Sequence, residues 1–291
     1  MNITQLKYFN AVCTYKTVSS AAEFLFVSQP TISNAIKELE EEFGALLFKR
    51  HRRGMILTRE GEVLYNMSKD LISRADQIEH IMNDMGKKRK ILRLGVPPMI
   101  GYLFLPHIYQ KFHNENPLIQ FEISEGGKDD LISKLENNYL DMIFLSHNEP
   151  LDSLFSVQYI TRFEIVFCVS KKHPLAKLKA VTPQDLTEIP LVLFKNSFFQ
   201  TVTIKKAFTE YGVSPKILLQ TEQLSNVLNM ISNNIAAGFL FKPLTEGYSD
   251  LTAISLQKRL YADISLVWKK DSYFFHGMKD FAEYMSSVHQ S

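Results

Sequence analysis

Apolar positions fall at helical spacing along the first part of the chain and at strand spacing after residue 90. Residues 1–58 predict short helices followed by a small hairpin. Leu6, Phe9, Ala11, Val12 and Cys13 line one face of a first helix. Thr17, Ser19 and Ser20 offer N-caps for a second, Ser20–Phe26. Ser28 can cap a third, in whose first turn Pro30 is tolerated because its missing N–H would be unpaired there. Ile32, Ile36, Leu39 and Phe43 share one face of that helix, which runs to about Glu42 and can end at Gly44. The segments LLFKR and MILT flank a basic tip, HRRG, and predict two short strands.

Residues 58–87 form one long helical pattern behind a cap at Thr58. Leu64, Met67, Leu71, Ala75, Ile78, Met82 and Met85 make an apolar stripe on an otherwise polar surface. A lone helix of this kind predicts pairing with a second subunit; the plainer alternative is packing on its own domain. Gly86 and the run Lys87-Lys88-Arg89-Lys90 read as a hinge of solvated charge. Beyond it strands and helices alternate. Strands are predicted at 91–96, 119–123, 141–145, 163–170, 190–194, 216–221, 236–241 and 264–268. Helices are predicted at 103–114, 129–137, 201–211, 224–233 and 277–289. The alternation predicts an α/β fold on a mainly parallel sheet, with room for two subdomains and a cleft. Ligands in such sheets bind beyond the carboxyl ends of strands, near helix N-termini.

Composition narrows the function classes. The 291 residues suit about two domains. A hydrophobic share of 45% and a charged share of 22% exclude a mainly disordered chain. Lys and Arg number 33 against 31 Asp and Glu, so a nucleic-acid role must rest on a local patch. Two distant cysteines, Cys13 and Cys168, argue against a disulfide framework and a cysteine zinc site. No apolar run reaches membrane-helix length, and the first residues read as a helix and not as a signal peptide, which points to the cytoplasm. The sequence lacks GxSxG, GxxxxGK[ST], GxGxxG and HExxH, and His107 and His113 would face different sides of one helix. No catalytic residue, cofactor or metal is therefore assigned, and the chain is not read as an enzyme.

The second and third helices form a candidate helix–turn–helix, whose second helix would enter the major groove. Opposite its core face stand Gln29, Pro30, Thr31, Ser33, Asn34 and Lys37, with Ser28 at the cap. Gln and Asn can pair with adenine, Ser and Thr can bond bases or phosphates, and Pro30 or the Thr31 methyl can meet a thymine methyl. Ser19, Ser20 and the N–H groups of the preceding helix can hold phosphates. Arg50, Arg52 and Arg53 at the hairpin tip suit phosphates or a narrow minor groove. On pattern alone, a three-helix domain with ordinary caps and an exposed Lys remains the competing reading.

These residues also carry a family resemblance. Ala21-Ala22, Leu25, VSQPTIS at 27–33, Ile36, Leu39-Glu40, Gly44, Leu47-Phe48, Arg50 and LTREG at 57–61 resemble, in order and spacing, the N-terminal domain of LysR-type transcriptional regulators. The likeness continues more weakly through LRLGV, the strand at 140–145, the His173-Pro174-Leu175-Ala176 segment and AAGFLF. The sequence departs from the common pattern at Asn34, where many members carry Arg, and at Val18-Ser19, where many carry Gly-Ser.

The resemblance implies a multidomain chain, α+β at its N-terminus and α/β beyond. A winged helix–turn–helix occupies 1–58, a dimerisation linker helix 59–88, and an effector-binding domain of the type 2 periplasmic-binding-protein fold 91–291. Subdomain I of the latter takes 91–161 and 266–291, and subdomain II takes 162–265. The effector would sit between them, under a loop Val96-Pro97-Pro98-Met99-Ile100-Gly101, where many members use Ser or Thr. Opposite lie Phe194, Lys195, Asn196, Ser197, Phe198 and Phe199, while Ser146, His147 and Asn148 follow the third strand. His147 is read as a surface loop residue. A helix N-terminus facing Lys195 and Asn196 across an apolar slot predicts a small carboxylate effector. The partners implied are double-stranded promoter DNA, that effector, RNA polymerase and further copies of the chain, as a dimer through the long helix and a tetramer through the sensor domains. The alternative is an architectural DNA-binding protein whose C-terminal half only oligomerises.

Overall fold

The computed structural model describes residues 1–51, 54–85 and 91–287, with side chains described throughout except at 50, 51, 77, 80, 81 and 83–85. Arg52, Arg53, the expected hinge at 86–90 and the end of the last helix lie outside the described residues, and the side chain of Arg50 is not described. The chain divides into two units, Met1–Gly86 and Lys87–Ser291.

The first unit begins with α1 (Ile3–Tyr15), α2 (Val18–Leu25) and α3 (Gln29–Phe43). Asn2 and Gln5 form a capping box on α1. Thr17, and neither Ser19 nor Ser20, caps α2: its Oγ1 accepts from the Ser20 N–H at 3.0 Å. α2 therefore starts two residues earlier than the sequence suggests. Ser28 caps α3 as expected. Phe9, Val12, Ala21, Ile32, Ile36 and Leu39 are buried together. Phe43, expected in this core, is exposed, because it belongs to the last turn of α3, just before the left-handed cap at Gly44. β1 (Phe48–His51) and β2 (Gly54–Leu57) form the hairpin. The Glu40 carboxylate pins it to α3 by accepting from the Leu47 N–H at 2.7 Å and the Phe48 N–H at 3.3 Å.

α4 (Arg59–Met85) follows, opened by the buried Thr58, whose Oγ1 accepts from the Gly61 N–H at 2.9 Å. A Cβ on Gly61 would stand 2.2 Å from the Leu47 carbonyl oxygen, so only glycine lets α4 meet the hairpin there. One side of α4 lies on α1: Asn10 Nδ2 donates to Ser68 Oγ at 2.7 Å and Lys7 pairs with Asp76. The apolar stripe divides. Leu64 packs on the core of its own unit, while Met67, Leu71, Ile78 and Met82 are 42–69% exposed.

The second unit holds β3 (Ile91–Val96), α5 (Pro98–His107) continuing as a π-helical stretch Ile108–His113, β4 (Gln120–Glu125), α6 (Lys128–Glu136), β5 (Met142–His147) and β6 (Phe155–Ser170). Then come β7 (Ala180–Val181), β8 (Leu191–Phe194), α7 (Phe199–Glu210), β9 (Ile217–Thr221), α8 (Leu224–Ser232), β10 (Gly238–Phe241), α9 (Lys242–Thr245), β11 (Leu251–Leu256), β12 (Leu260–Lys269) and α10 (His276–Ser287). An eight-stranded sheet runs β4-β3-β5-β12-β6-β11-β7, with β10 also on β6. β8 and β9 pair in parallel, and a bridge from Leu191 to Ala237 leads toward β10.

The sheet is mixed and not mainly parallel. β12 runs antiparallel to both β5 and β6, and β10 and β11 run antiparallel to β6. Strand–helix alternation misleads here because β11 continues into β12 through residues 257–259 with no helix between, the two strands flanking β6 on opposite sides and both antiparallel to it. β6 and β12 pair over ten positions, with a bulge where Ile264 faces Thr161 and Ser265 faces Tyr159. Before the bulge β6 is buried on one side only; beyond it both sides are covered from Glu164 to Ser170. This pair is the spine from which both layers of helices hang.

Candidate functional site

On the first unit the polar face of α3 stands in solvent. Gln29, Pro30, Thr31, Ser33, Asn34 and Lys37 are all exposed, while Ile32, Ala35, Ile36 and Leu39 between them are buried. The 3.6-residue period makes this separation. Ser28 Oγ and Thr31 Oγ1 are 2.7 Å apart, so part of their hydrogen-bonding capacity serves the cap. Lys37 forms an exposed pair with Glu41 at 3.3 Å, which water weakens and another anion can replace. Ser19 is exposed, and Ser20 accepts from Thr17 Oγ1 at 2.8 Å.

On the second unit the carboxyl ends of β3, β5, β8 and β10 meet at a narrow apolar slot with a cavity volume of about 30 Å³. It is walled by Pro97, Pro98, Met99, Leu145, Phe194, Phe198, Phe199 and Phe241, with Lys128, Ser146 and Gln200 as its polar groups. The Phe194 and Phe198 rings stand 5.2 Å apart. The starts of α5, α6 and α7 all border the slot, at Pro98, Lys128 and Phe199. In α5, Pro98 has no N–H and Gly101 is bonded back to Pro97, which leaves the Met99 and Ile100 N–H groups unpaired along the helix. Helix N-termini carry partial positive charge, and Lys128 lines the slot beside them, while Asp129 and Asp130 occupy the first turn of α6. Lys128 also ties the two sides together, its N–H donating to the Ser197 carbonyl at 2.9 Å. A Cβ on Gly127 would come within 2.8 Å of Ser197, so glycine permits that approach.

The structure brings together Pro98, Met99, Ser146, Phe194 and Phe198 from the residues expected at the effector site. It separates the others. Pro98-Met99-Ile100-Gly101 is the first turn of α5 and not a loop, since the second proline of the pair sets the helix start. Ile100 is fully buried in the core, and Gly101 borders a wider neighbouring groove with Tyr102, Glu125 and Tyr248. Lys195 is drawn away to Glu222 at 2.9 Å, and Asn196 Oδ1 accepts from Lys205 at 2.8 Å. Neither lines the slot. Ser197 contributes its carbonyl to Lys128, not its hydroxyl to the slot. Ser146 and His147 belong to β5 itself, and His147, half-buried, lies 2.8 Å from Ser265 Oγ.

Sequence reasoning missed Lys128 and Gln200. Lys128 follows the Gly126-Gly127 pair at a helix start, which was a usable signal. Gln200 looked like one polar residue in an aromatic run. It is 4% exposed, its Nε2 donates to the Phe239 carbonyl, and its Oε1 has no hydrogen-bond partner among the described residues.

Comparison with known proteins decides the family. Residues 3–62 match the family described as bacterial regulatory helix-turn-helix protein, lysR family, and residues 86–290 match the LysR substrate binding domain. The chain belongs to the LysR family of transcriptional regulators. It is 29% identical to the uncharacterized HTH-type transcriptional regulator YwbI of Bacillus subtilis (strain 168), over 99% of this chain and 96% of that one. It is 23% identical to the HTH-type transcriptional activator CmpR of Synechocystis sp. (strain ATCC 27184 / PCC 6803 / Kazusa), over 97% and 93%. The solved structure of CbnR, a LysR family transcriptional regulator, superimposes with a TM-score of 0.69 at 20% identity over the whole of both chains. The effector binding domain of QuiR in complex with shikimate superimposes at 0.61 and 21% identity, over 69% of this chain and 97% of that one. Like other LysR regulators, this chain is a DNA-binding regulator with an effector-binding domain, and not an enzyme. Among the described residues no helix is long and apolar enough to cross a membrane.

Proposed function

We propose that this LysR regulator senses a small carboxylate in the slot at the carboxyl ends of β3, β5, β8 and β10. The observation that carries the reading is the convergence of three helix N-termini and Lys128 on an otherwise apolar pocket. The carboxylate lies toward Lys128 and the Met99 N–H group at the start of α5, and its carbon skeleton lies against Phe194, Phe198 and Phe241. Shikimate, the ligand of the QuiR effector domain, is itself a carboxylate. The exposed face of α3, from Gln29 to Lys37, reads the major groove, while Ser19, Ser20, Arg50, Arg52 and Arg53 engage the flanking backbone. Met67, Leu71, Ile78 and Met82 on α4 pair with the same helix of a second copy, and sensor domains join dimers into a tetramer. Effector binding favours one assembly over another, alters the bend of promoter DNA and so its use by RNA polymerase.

The test is thermal unfolding of the full chain with a panel of small carboxylates, followed by footprinting with any ligand that binds. A ligand at about 100 times its Kd adds about 2.7 kcal/mol to the stability of the folded state. A raised midpoint that disappears in Lys128→Ala, together with a changed footprint, supports the reading. A flat panel with an unchanged footprint overturns it in favour of an architectural role.

A further inference from the structure

Resting on the carboxylate reading above, we infer that the effector also carries a hydroxyl group, and that Gln200 reads it. Gln200 sits in the first turn of α7 and lines the slot, yet it is almost wholly shielded from solvent. Its amide cannot be turned over. The Phe239 carbonyl accepts from Nε2, and exchanging the two ends would set Oε1 against that carbonyl, acceptor on acceptor. Oε1 is therefore a fixed acceptor, and it has no hydrogen-bond partner among the described residues.

A buried acceptor left unmatched is costly, whereas a ligand donor that meets it recovers the bond. Such a site discriminates by chemistry more sharply than an apolar wall can by size. Two donors could serve, a hydroxyl or an ammonium. The positive ends of α5, α6 and α7 and the Lys128 cation disfavour a second cation in this space. A neutral hydroxyl meets no such penalty. The anion and the donor take opposite sides of the slot: the carboxylate goes to Lys128 and the start of α5, the hydroxyl to the start of α7. Ser146, buried on β5, has a hydroxyl that can turn to serve as donor or acceptor and so sets no such demand.

The experiment titrates the full chain calorimetrically with matched pairs: lactate against propionate, malate against succinate, 3-hydroxybenzoate against benzoate, with alanine as the ammonium analogue of lactate. At least one hydroxy acid should bind about tenfold or more tightly than its deoxy partner. Alanine should bind more weakly than lactate. In Gln200→Met, which keeps volume and removes the acceptor, the preference should fall to near unity. Equal affinity within every pair that binds would overturn the hydroxyl requirement and leave the carboxylate reading standing. A preference that survives Gln200→Met but is lost in Ser146→Ala would overturn the role of Gln200. Alanine binding as well as lactate would overturn the choice of hydroxyl. If no carboxylate binds, the effector reading fails and takes this inference with it.

Discussion

The two units keep their recognition groups in opposite environments. On the first, Gln29, Thr31, Ser33, Asn34 and Lys37 stand in water on the outer face of α3, backed by Ile32, Ile36 and Leu39. Water satisfies them until a partner arrives, and the fold gives up nothing to hold them there. On the second, Gln200, Ser146 and the N-termini of three helices face a shielded slot. There an unpaired acceptor weakens the fold until a ligand meets it. The first arrangement suits a surface that docks as a rigid body on a long polyanion. The second suits a switch, because ligand binding relieves a cost present in the empty state and so couples affinity to conformation. The Lys128 N–H to Ser197 carbonyl bond joins the two sides of the slot.

The largest expected effect follows from that bond. Gly127→Ala places a Cβ within 2.8 Å of Ser197 and forces the start of α6 away from it. An overpacked contact costs about 1–3 kcal/mol, which corresponds to roughly 5- to 150-fold in affinity for a carboxylate bound in the slot. DNA affinity without ligand should not change. Titration of the variant with the best wild-type ligand decides the matter, and undiminished affinity would mean that the sides of the slot need not meet. The counterpart on the first unit is smaller. Lys37→Ala should weaken DNA binding several-fold and reduce the salt dependence by about 0.9 in slope, the share of one phosphate contact. Binding isotherms over a range of salt measure both, and an unchanged slope would move Lys37 off the phosphate backbone.

Legibility in the sequence divides along the same line. The three helices, hairpin and long helix were readable because each motif residue has a local job that its type reveals. Ser28 caps, Leu39 fills the core, Glu40 pins the hairpin and Gly61 allows a close approach. The exposed face of α3 was readable for the same reason, since helical period alone separates it from the core. One residue of the turn ran against the pattern: Phe26 ends α2 at φ 54° and is 96% exposed, where a left-handed cap usually takes Gly or Asn. A backbone of that kind costs on the order of 1–3 kcal/mol and nothing in the local packing offsets it. The slot was only half readable. Its phenylalanines and Met99 follow from strand ends, but which cation enters is a tertiary matter. Lys195 lies nearer in sequence to the aromatic wall than Lys128 does, yet Glu222, at the end of the neighbouring strand β9, pairs with it. The antiparallel spine was missed because β6 and β12 meet across some hundred intervening positions that no local pattern reports.

His173 gives the smallest effect and tests whether the weaker family segment in the second unit has a structural job like those of the first. Its Nδ1 accepts from the Leu175 N–H at 3.2 Å and so caps the short turn Pro174–Lys177. Partial burial pushes its imidazole below the ordinary value near 6.5. A protonated ring would also lose the acceptor that makes the cap. Above about pH 6.5 the ring is neutral in both folded and unfolded chains, and its contribution is fully present. As the pH falls below that value the unfolded chain takes up a proton that the folded chain resists, so stability drops until the folded group also titrates. His173→Asn keeps an acceptor without a titrating group. Between pH 7 and pH 5 its stability should therefore decline less steeply than that of the parent, with the two chains close at pH 7.5. Chemical denaturation at a series of pH values measures the difference between the two curves, in which the other carboxylates and histidines cancel. Parallel curves would show that His173 is a bystander and that the turn is held by Pro174 alone.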